Sequence, residues 1–429
     1  MNIVLISNFA IPSVAKEIGI SVTHKEGWVT GLIDALQQQE HKLHYVFPQR
    51  KNKTVLCGNA NGMAFYGFSR TAKKDWTFEP HHETQFTEIF QKIGQIDVIH
   101  IMGSEYAHTL SAVNAAQKLN LLDKVVISIQ GMPSVYASHV YADLPLKTLL
   151  SFTLRDLLRG NNLYLSKFDM INRGKTEVEA IKKVKHIIGR TDWDRACTQQ
   201  INPYAQYHFC NETLRREFYC GQWEYANCRK HSVFMSQGYN SIKGMHYMLE
   251  ALSIVRDFYP DVQLSVTGES PLHAGFLKRQ KRSAYTNYLQ KLIEKNQLAG
   301  CIRFLGTLNA EQMKEQYLAA NVFVSPSSIE NSPNSVGEAM ILGTPVVTSD
   351  VGGVKNLITH GEEGFVYQHS APYMLAHYIM KVFEQGSAIE EMTRKAQAHA
   401  KHTHDGQNNT RTLIAIYKSI CQDSAKDPD

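Results

Sequence analysis

Short apolar runs bounded by turn residues alternate with longer segments whose apolar positions recur at helical spacing, along nearly the whole chain. That alternation predicts parallel strands joined by crossover helices. NIVLISN is followed by a glycine-bearing turn and a helix that places Trp28, Leu32, Ala35 and Leu36 on one face. IDVIHIMG, HTLSAVNAAQKLNL and KVVISIQG repeat the unit, and VKHIIGR, DWDRACTQQIN and QYHFCN repeat it again. GQWEYANCRKH at 221–231 breaks the rhythm. Behind it a second series runs from HSVFMSQG through GMHYMLEALSIVRDF to VQLSVTGE, IRFLGTL, VFVSPS and PVVTSD, with helices between them. Two Rossmann-like domains in tandem are therefore predicted, over residues 1–228 and 229–405. A last helix within 406–429 has the option of packing back on the first domain, and the tail behind Cys421 is expected to be disordered. Leucines at helical spacing between Leu144 and Arg190 accompany more bases than acids. They read as a core-facing stripe with a solvated basic side; a membrane-surface face is the alternative.

In doubly wound sheets, ligands sit beyond the carboxyl ends of strands, so the loops after strands are where chemistry is sought. The stretch SPSSIENSPNSVGEAMILGTPVVTSDVGG, 325–353, is such a place. A strand ends at VFVSPS, turn residues follow, and a helix begins near Ser335. Free amides and the helix dipole there form an anion pocket suited to a phosphate. Glu330 lies before the helix and Glu338 one turn into it. Carboxylates flanking a phosphate are good acceptors for sugar or ribose hydroxyls. The plain alternative is a dipole-favoured first-turn acid beside an exposed one.

Composition narrows the picture. The 429 residues are 43% hydrophobic and 20% charged, as in soluble globular chains, and their length suits two cores. A net charge of +5 is too mild for a nucleic-acid binder. The apolar start MNIVLISNFAIP has no Lys or Arg ahead of it, unlike a signal peptide, and no window approaches the roughly 18 apolar residues of a membrane span. Seven scattered cysteines without CxxC spacing disfavour disulfides and zinc and fit a reducing cytoplasm.

Glu330, Gly337, Glu338, the Gly343-Thr344-Pro345 turn, Gly352-Gly353 and GEEGFVY at 361–367 occur together and in order. The set resembles the retaining, nucleotide-sugar-dependent glycosyltransferases of family 4, with their Glu-x7-Glu motif and GT-B fold: two Rossmann-like domains facing each other across a deep cleft. VIHIMGSEYAHTL (98–110), SIQGM (128–132) and GRTDWDRA (189–196) look like the bacterial capsule or surface-polysaccharide branch. The resemblance implies that Glu330 contacts the donor sugar or steadies the reacting centre, and that Glu338 accepts from the ribose. It further implies that backbone amides of Asn334, Ser335 and Val336 hold the sugar and diphosphate. Lys243 matches the family's phosphate-binding lysine, whose task is to neutralise charge growing on the departing diphosphate; its plain alternative is a solvated loop lysine. Gly238, Gly268 and Gly27 complete the donor-side candidates, Gly27 in the turn HKEGWVTG where a backbone can approach a ligand closely.

Two positions depart from the pattern. Many relatives carry an arginine about five residues before the lysine, where this chain has Gly238; Arg190 and Lys25 are substitutes to consider. Relatives often have a histidine where this chain has Gln130, which can still bond a sugar hydroxyl. Gln130, His100, Glu105, His108 and Arg190 are the acceptor or sugar candidates, with Glu105 and His108 expected to face the cleft and His100 equally readable as a packed strand residue. Asp192 and Asp194 have the spacing of a metal–diphosphate site, but acids at a helix start are ordinary capping chemistry, and no metal or other cofactor is expected.

The expected activity is that of a hexosyl- or related glycosyltransferase (EC 2.4), moving a sugar from a nucleotide-diphosphate donor to a saccharide acceptor, free or lipid-linked, in surface polysaccharide synthesis. The expected location is the cytoplasm, with peripheral contact at the inner face of the plasma membrane as an option. The rivals are a catalytically silent nucleotide-sugar-binding subunit that activates a partner transferase, and a sugar-nucleotide 2-epimerase. The base, sugar and linkage are not encoded in these motifs.

Overall fold

The computed structural model describes the chain apart from residues 22–26, 40, 75, 160–161, 273–281 and 427–429. Two compact units emerge, the first comprising 1–135, 171–213 and 404–429, the second 136–170 and 214–403. The divide thus falls at 213/214 and not at 228/229. The reason is packing: Leu214 and Phe218 enter a core of the second unit, and Trp223 enters another, donating from Nε1 to the Ala320 carbonyl at 2.7 Å. Leu144 and Leu149 join that same core, so the excursion 136–170 belongs to the second unit too.

In the first unit, strands β1 (Asn2–Ile6), β2 (Lys42–Gln49), β3 (Leu56–Ala60), β4 (Met63–Ser69), β5 (Val98–Met102), β6 (Val125–Ser128), β7 (His186–Gly189) and β8 (Gln206–Phe209) form one sheet. Its order is β3-β4-β2-β1-β5-β6-β7-β8. Only β3 runs antiparallel, against β4. Every residue of β5, β6 and β7 is buried, which is why these strands are mostly apolar on both faces instead of alternating: helices cover both faces. The last helix, Gly406–Lys426, supplies Leu413, Ile416, Tyr417 and Ile420 to this unit's core. It continues past Cys421, where disorder had been expected.

The second unit holds β9 (Arg229–Met235), β10 (Gln263–Val266), β11 (Ile302–Phe304), β12 (Ala320–Ser325), β13 (Val346–Ser349) and β14 (Phe365–Tyr367). Its order, β11-β10-β9-β12-β13-β14, is all parallel. Counted along the chain this is 3-2-1-4-5-6, the Rossmann order, which reverses between β9 and β12. At such a reversal neighbouring crossovers diverge to opposite faces and open a crevice.

The leucine stripe departs from expectation. Leu144 and Leu149 are buried, but Leu146, Leu150, Leu154, Leu157 and Leu158 are exposed. Among the described residues no helix is long and apolar enough to cross a membrane.

Candidate active site

The crevice of the second unit is built from the loops after β9 and β12. After β9 the chain makes a single helical turn, Ser241–Lys243, whose N-cap Asn240 accepts from the Ile242 amide. Gly244 follows at φ 76°, and a Cβ on it would stand 1.9 Å from the Pro326 carbonyl oxygen. A glycine is therefore required for the two loops to touch. They are joined further by the Ser328 amide, which donates to the Ile242 carbonyl at 2.7 Å. On the other side Gly352, φ 52°, lies equally close to the carbonyl of Glu330, which also accepts from the Gly353 amide at 3.1 Å.

This close packing sets Lys243 Nζ 2.5 Å from Glu330 Oε1. Ser327 Oγ donates to the same oxygen at 2.7 Å. Glu330 is 8% exposed, and the lysine is half-buried. The helix Asn334–Leu342 starts four residues further on, with Pro333 at its N-cap and no side chain capping it. The Val336 amide bonds back to the Pro333 carbonyl at 3.0 Å, so it is not the anion donor that had been expected. Asn334 and Ser335 stand half-exposed ahead of it, with first-turn amides that no helical carbonyl can serve. Those two amides and the Lys243 ammonium make the positive side of the site.

Glu338, the second carboxylate, is buried. Arg215 donates to its Oε1 from Nη2 at 2.7 Å and from Nε at 3.2 Å, and Tyr317 donates its hydroxyl to Oε2 at 3.2 Å. Burial pushes the Glu338 carboxyl above its usual range, and the Arg215 charge opposes that shift. Of roughly four lone-pair directions on a carboxylate, three are occupied, so a ribose hydroxyl would find one remaining on Oε2.

Gly238 is buried, and a Cβ there would meet Val266 Cγ2 at 2.8 Å. No cation is available from that position. Arg215, which sequence reasoning missed, is the arginine that structure adds to the second unit's site; it lies in irregular chain and is joined to Glu338 across 123 residues. Gly268, φ 119°, follows β10 and bridges to Gly306, with Tyr239 beside it. Gly27 opens the helix Gly27–Gln37 of the first unit; the turn before it, with Lys25, lies outside the described residues.

Two of the acceptor candidates, Gln130 and Arg190, come together in the first unit, at the carboxyl ends of β6 and β7. Arg190 forms a buried ion pair with Glu212, Gln130 donates to the same carboxylate, and Arg190 Nη2 donates to Gln130 Oε1 at 3.2 Å. Arg190, Glu212 and His100 line one small cavity of about 40 Å³. His100, however, has both ring nitrogens engaged, Nδ1 with Tyr417 and Nε2 with Ser128, each at 2.6 Å. Burial lowers its pKa to about 3. It is a packed strand residue that ties β5 to the last helix, not an acceptor contact.

His108 is also corrected. It is buried against Phe68 and stacked on Tyr106, and burial again lowers its pKa to about 3; it faces the core. Glu105 is half-buried, its carbonyl accepting from Arg173 Nη2 at 3.2 Å. Asp194 completes a capping box with Thr191 and is fully buried, so the Asp-x-Asp spacing reflects helix capping. Elsewhere, Glu79, His81 and His82 bring potential ligand atoms within 4.8 Å of one another. Both imidazole Nε2 atoms there lie against the Ser69 carbonyl, at 3.0 and 2.9 Å, which already engages them.

Rossmann order, a lysine–carboxylate pair at the strand reversal and a helix N-terminus without a side-chain cap together form an arrangement whose chemistry would suit an anionic, hydroxyl-bearing ligand. Residues 226–401 match the family model described as "Glycosyl transferases group 1". A D-inositol 3-phosphate glycosyltransferase of Corynebacterium urealyticum is 26% identical over 179 residues, 42% of this chain and 41% of the relative. The O-antigen chain mannosyltransferase B of Escherichia coli is 32% identical over 132 residues, 31% of this chain and 34% of the relative. The chain thus spans less than half the length of these curated relatives. Among solved structures, Anabaena HepE in complex with UDP-glucose superposes with a TM-score of 0.66 at 14% identity, covering 98% of this chain and 100% of that one. This likeness shows the GT-B fold for the chain as a whole.

Proposed function

We propose that the chain is a retaining glycosyltransferase that moves a sugar from a nucleotide-diphosphate donor to a saccharide hydroxyl. The observation that carries this reading is the Lys243–Glu330 pair, set at the strand reversal beside the open N-terminus of the helix Asn334–Leu342. In the reaction, the donor diphosphate lies against the Asn334 and Ser335 amides, and Lys243 swings from Glu330 to the phosphate. As the glycosidic bond breaks, positive charge grows on the sugar ring and negative charge on the diphosphate; the ammonium stabilises the latter. Glu330, released from its lysine, faces the sugar as a hydrogen-bond acceptor and a negative charge for the oxocarbenium-like centre. The leaving phosphate takes the acceptor proton on the same face, which keeps the anomeric configuration. Glu338 and Arg215 hold the ribose end.

The family model matched by residues 226–401 and the two relatives support transfer chemistry. The name of the Escherichia coli relative favours a surface-polysaccharide acceptor, free or on a lipid carrier, used at the cytoplasmic face of the membrane. The test is nucleoside diphosphate release from uridine, guanosine and adenosine diphosphate sugars. One donor should be hydrolysed slowly without acceptor; Lys243→Ala should lower that rate at least about a hundredfold, the order seen when a charge-stabilising donor is lost, and Glu330→Ala should lower it as well. Binding of a donor with no hydrolysis and no transfer in any condition would instead identify a silent binding subunit.

A further inference from the structure

Residues 146–168 contain nine of the eighteen large apolar side chains that are exposed among the described residues. Leu158 is 80% exposed, Leu146 66% and Leu157 65%, with Phe152, Leu154 and Phe168 about half out. The segment is nonetheless held to its own unit. Leu149 is buried in a core, and Asp156 Oδ2 accepts from the Thr153 and Ala284 amides at 3.2 and 3.3 Å. Asn162 Oδ1 accepts from the Leu165 amide at 2.8 Å. Short helices, Leu146–Leu149 and Leu154–Arg159, therefore present leucines outward while one buried acid pins them down.

The charge pattern says what covers this face. Among the described side chains, Lys147, Arg155 and Lys167 share the stretch with a single acid, Asp156, which is turned inward at 3% exposure and pairs with Arg155 at 3.6 Å, so Lys147 and Lys167 remain as an excess of base. Lys147 is exposed, and Lys167 lies over the Tyr141 ring at 5.0 Å. A second copy of the chain docking by two-fold symmetry would set these bases against themselves. An anionic bilayer meets both features at once: leucine and phenylalanine enter the headgroup boundary while lysine reaches acidic lipid. We propose that residues 146–158 and 162–168 form a monotopic docking surface for anionic lipid membranes. The helices are far too short to span a bilayer, so the chain lies on the surface. This inference stands on exposure and charge, and does not depend on the transferase reading.

The experiment is co-sedimentation of the full chain with vesicles of phosphatidylcholine alone or with about a third phosphatidylglycerol. Binding is expected to the anionic vesicles only and to weaken with added salt. Leu157→Ser with Leu158→Ser should lower affinity at least about tenfold, and Lys147→Glu several-fold, since one base near an anionic surface is worth about fivefold. Because the leucines are already in water, the double variant should melt within a few degrees of the parent. Phe152→Ser with Leu154→Ser is an independent second pair. No binding to anionic vesicles, equal binding to neutral ones, or binding untouched by both pairs overturns the proposal. So does a dimer of the parent chain that either pair converts to monomer. Donor hydrolysis measured without vesicles should be the same in the parent and both pairs, which separates a failed membrane surface from a failed enzyme.

Discussion

Gly244→Ala tests whether loop contact makes the site. The substitution has two costs. At φ 76°, an alanine pays about 1–2 kcal/mol for the left-handed conformation. Its Cβ would also stand 1.9 Å from the Pro326 carbonyl oxygen, where about 3.0 Å is the closest such atoms come, so the loops must part by about 1.1 Å. Overpacking of this kind costs a further 1–3 kcal/mol, roughly. The combined loss, about 2–5 kcal/mol, corresponds to a fall in Tm of roughly 5–15 °C for a unit of this size. A movement of that length also breaks the Ser328–Ile242 bond and pulls Lys243 off Glu330, and a 1 Å misplacement can cost about a hundredfold in rate. Gly361 is the control: its φ is 81°, yet nothing lies within 4 Å of a Cβ there. Gly361→Ala should therefore show the backbone cost alone. The assays are calorimetric melting and donor hydrolysis at a temperature well below both melting points. If Gly244→Ala retains hydrolysis within about threefold of Gly361→Ala, the contact between the two loops does not set the catalytic geometry.

Arg215→Leu leaves the buried Glu338 without its cation, which should cost about 3–5 kcal/mol at neutral pH. Because burial raises the Glu338 pKa in the fold, the folded variant binds a proton that the unfolded chain has released; its stability should fall as pH rises from about 5 toward 8, more steeply than in the parent. The buried His108 has its pKa lowered to about 3, so it stabilises the fold above pH 6.5 and that contribution is lost as pH falls. His108→Phe should flatten the acid limb by about 1.4 kcal/mol per pH unit between roughly pH 6 and 4 in urea titrations. Arg190→Leu should destabilise by about 3–5 kcal/mol, and Arg190→Leu with Glu212→Leu should recover most of it, because the single change strands a buried carboxylate while the double change does not. Non-recovery in the double variant would mean that the pair is supported by more than mutual charge.

The sequence made the second unit's site legible because its residues follow strands and carry glycines whose backbone cannot be replaced. Lys243 directly precedes Gly244, and Glu330 and Gly352 fall within the one motif-bearing stretch 325–353, so both are visible in one dimension. Arg215 left no such mark. It sits in irregular chain and reaches Glu338 through 123 residues of separation, so only folding reveals it. The unit boundary was misplaced for a related reason: Leu214, Phe218 and Trp223 belong to the core they enter, and nothing local says which core that is. Leucines at 146–158 show the limit of periodicity, which reports that side chains share a face but not what covers it. His108 was expected at a cleft because it begins a helix after a strand. It faces inward because Phe68 and Tyr106 pack on its ring.

The two glutamates, alike in type and only eight positions apart, are placed under opposite electrostatic control. Glu330 is paired with a lysine through a single contact, on a flexible stem whose side chain is 32% exposed. An arriving diphosphate can take that ammonium by side-chain rotation alone, and the carboxylate left behind still has Ser327 and the incoming sugar hydroxyls. Glu338 is held by both Nε and Nη2 of an arginine whose guanidinium also lies 4.7 Å over the Phe218 ring. Moving that arginine would leave a carboxylate uncompensated in the interior, which costs several kcal/mol. In the proposed reaction the lysine pair therefore opens and follows the moving charge, while the arginine pair stays shut and holds the ribose in register. A ligand that draws the Lys243 ammonium from Glu330 without disturbing Arg215 is what the proposed reaction requires, and a diphosphate joined to a ribose and a sugar meets that requirement.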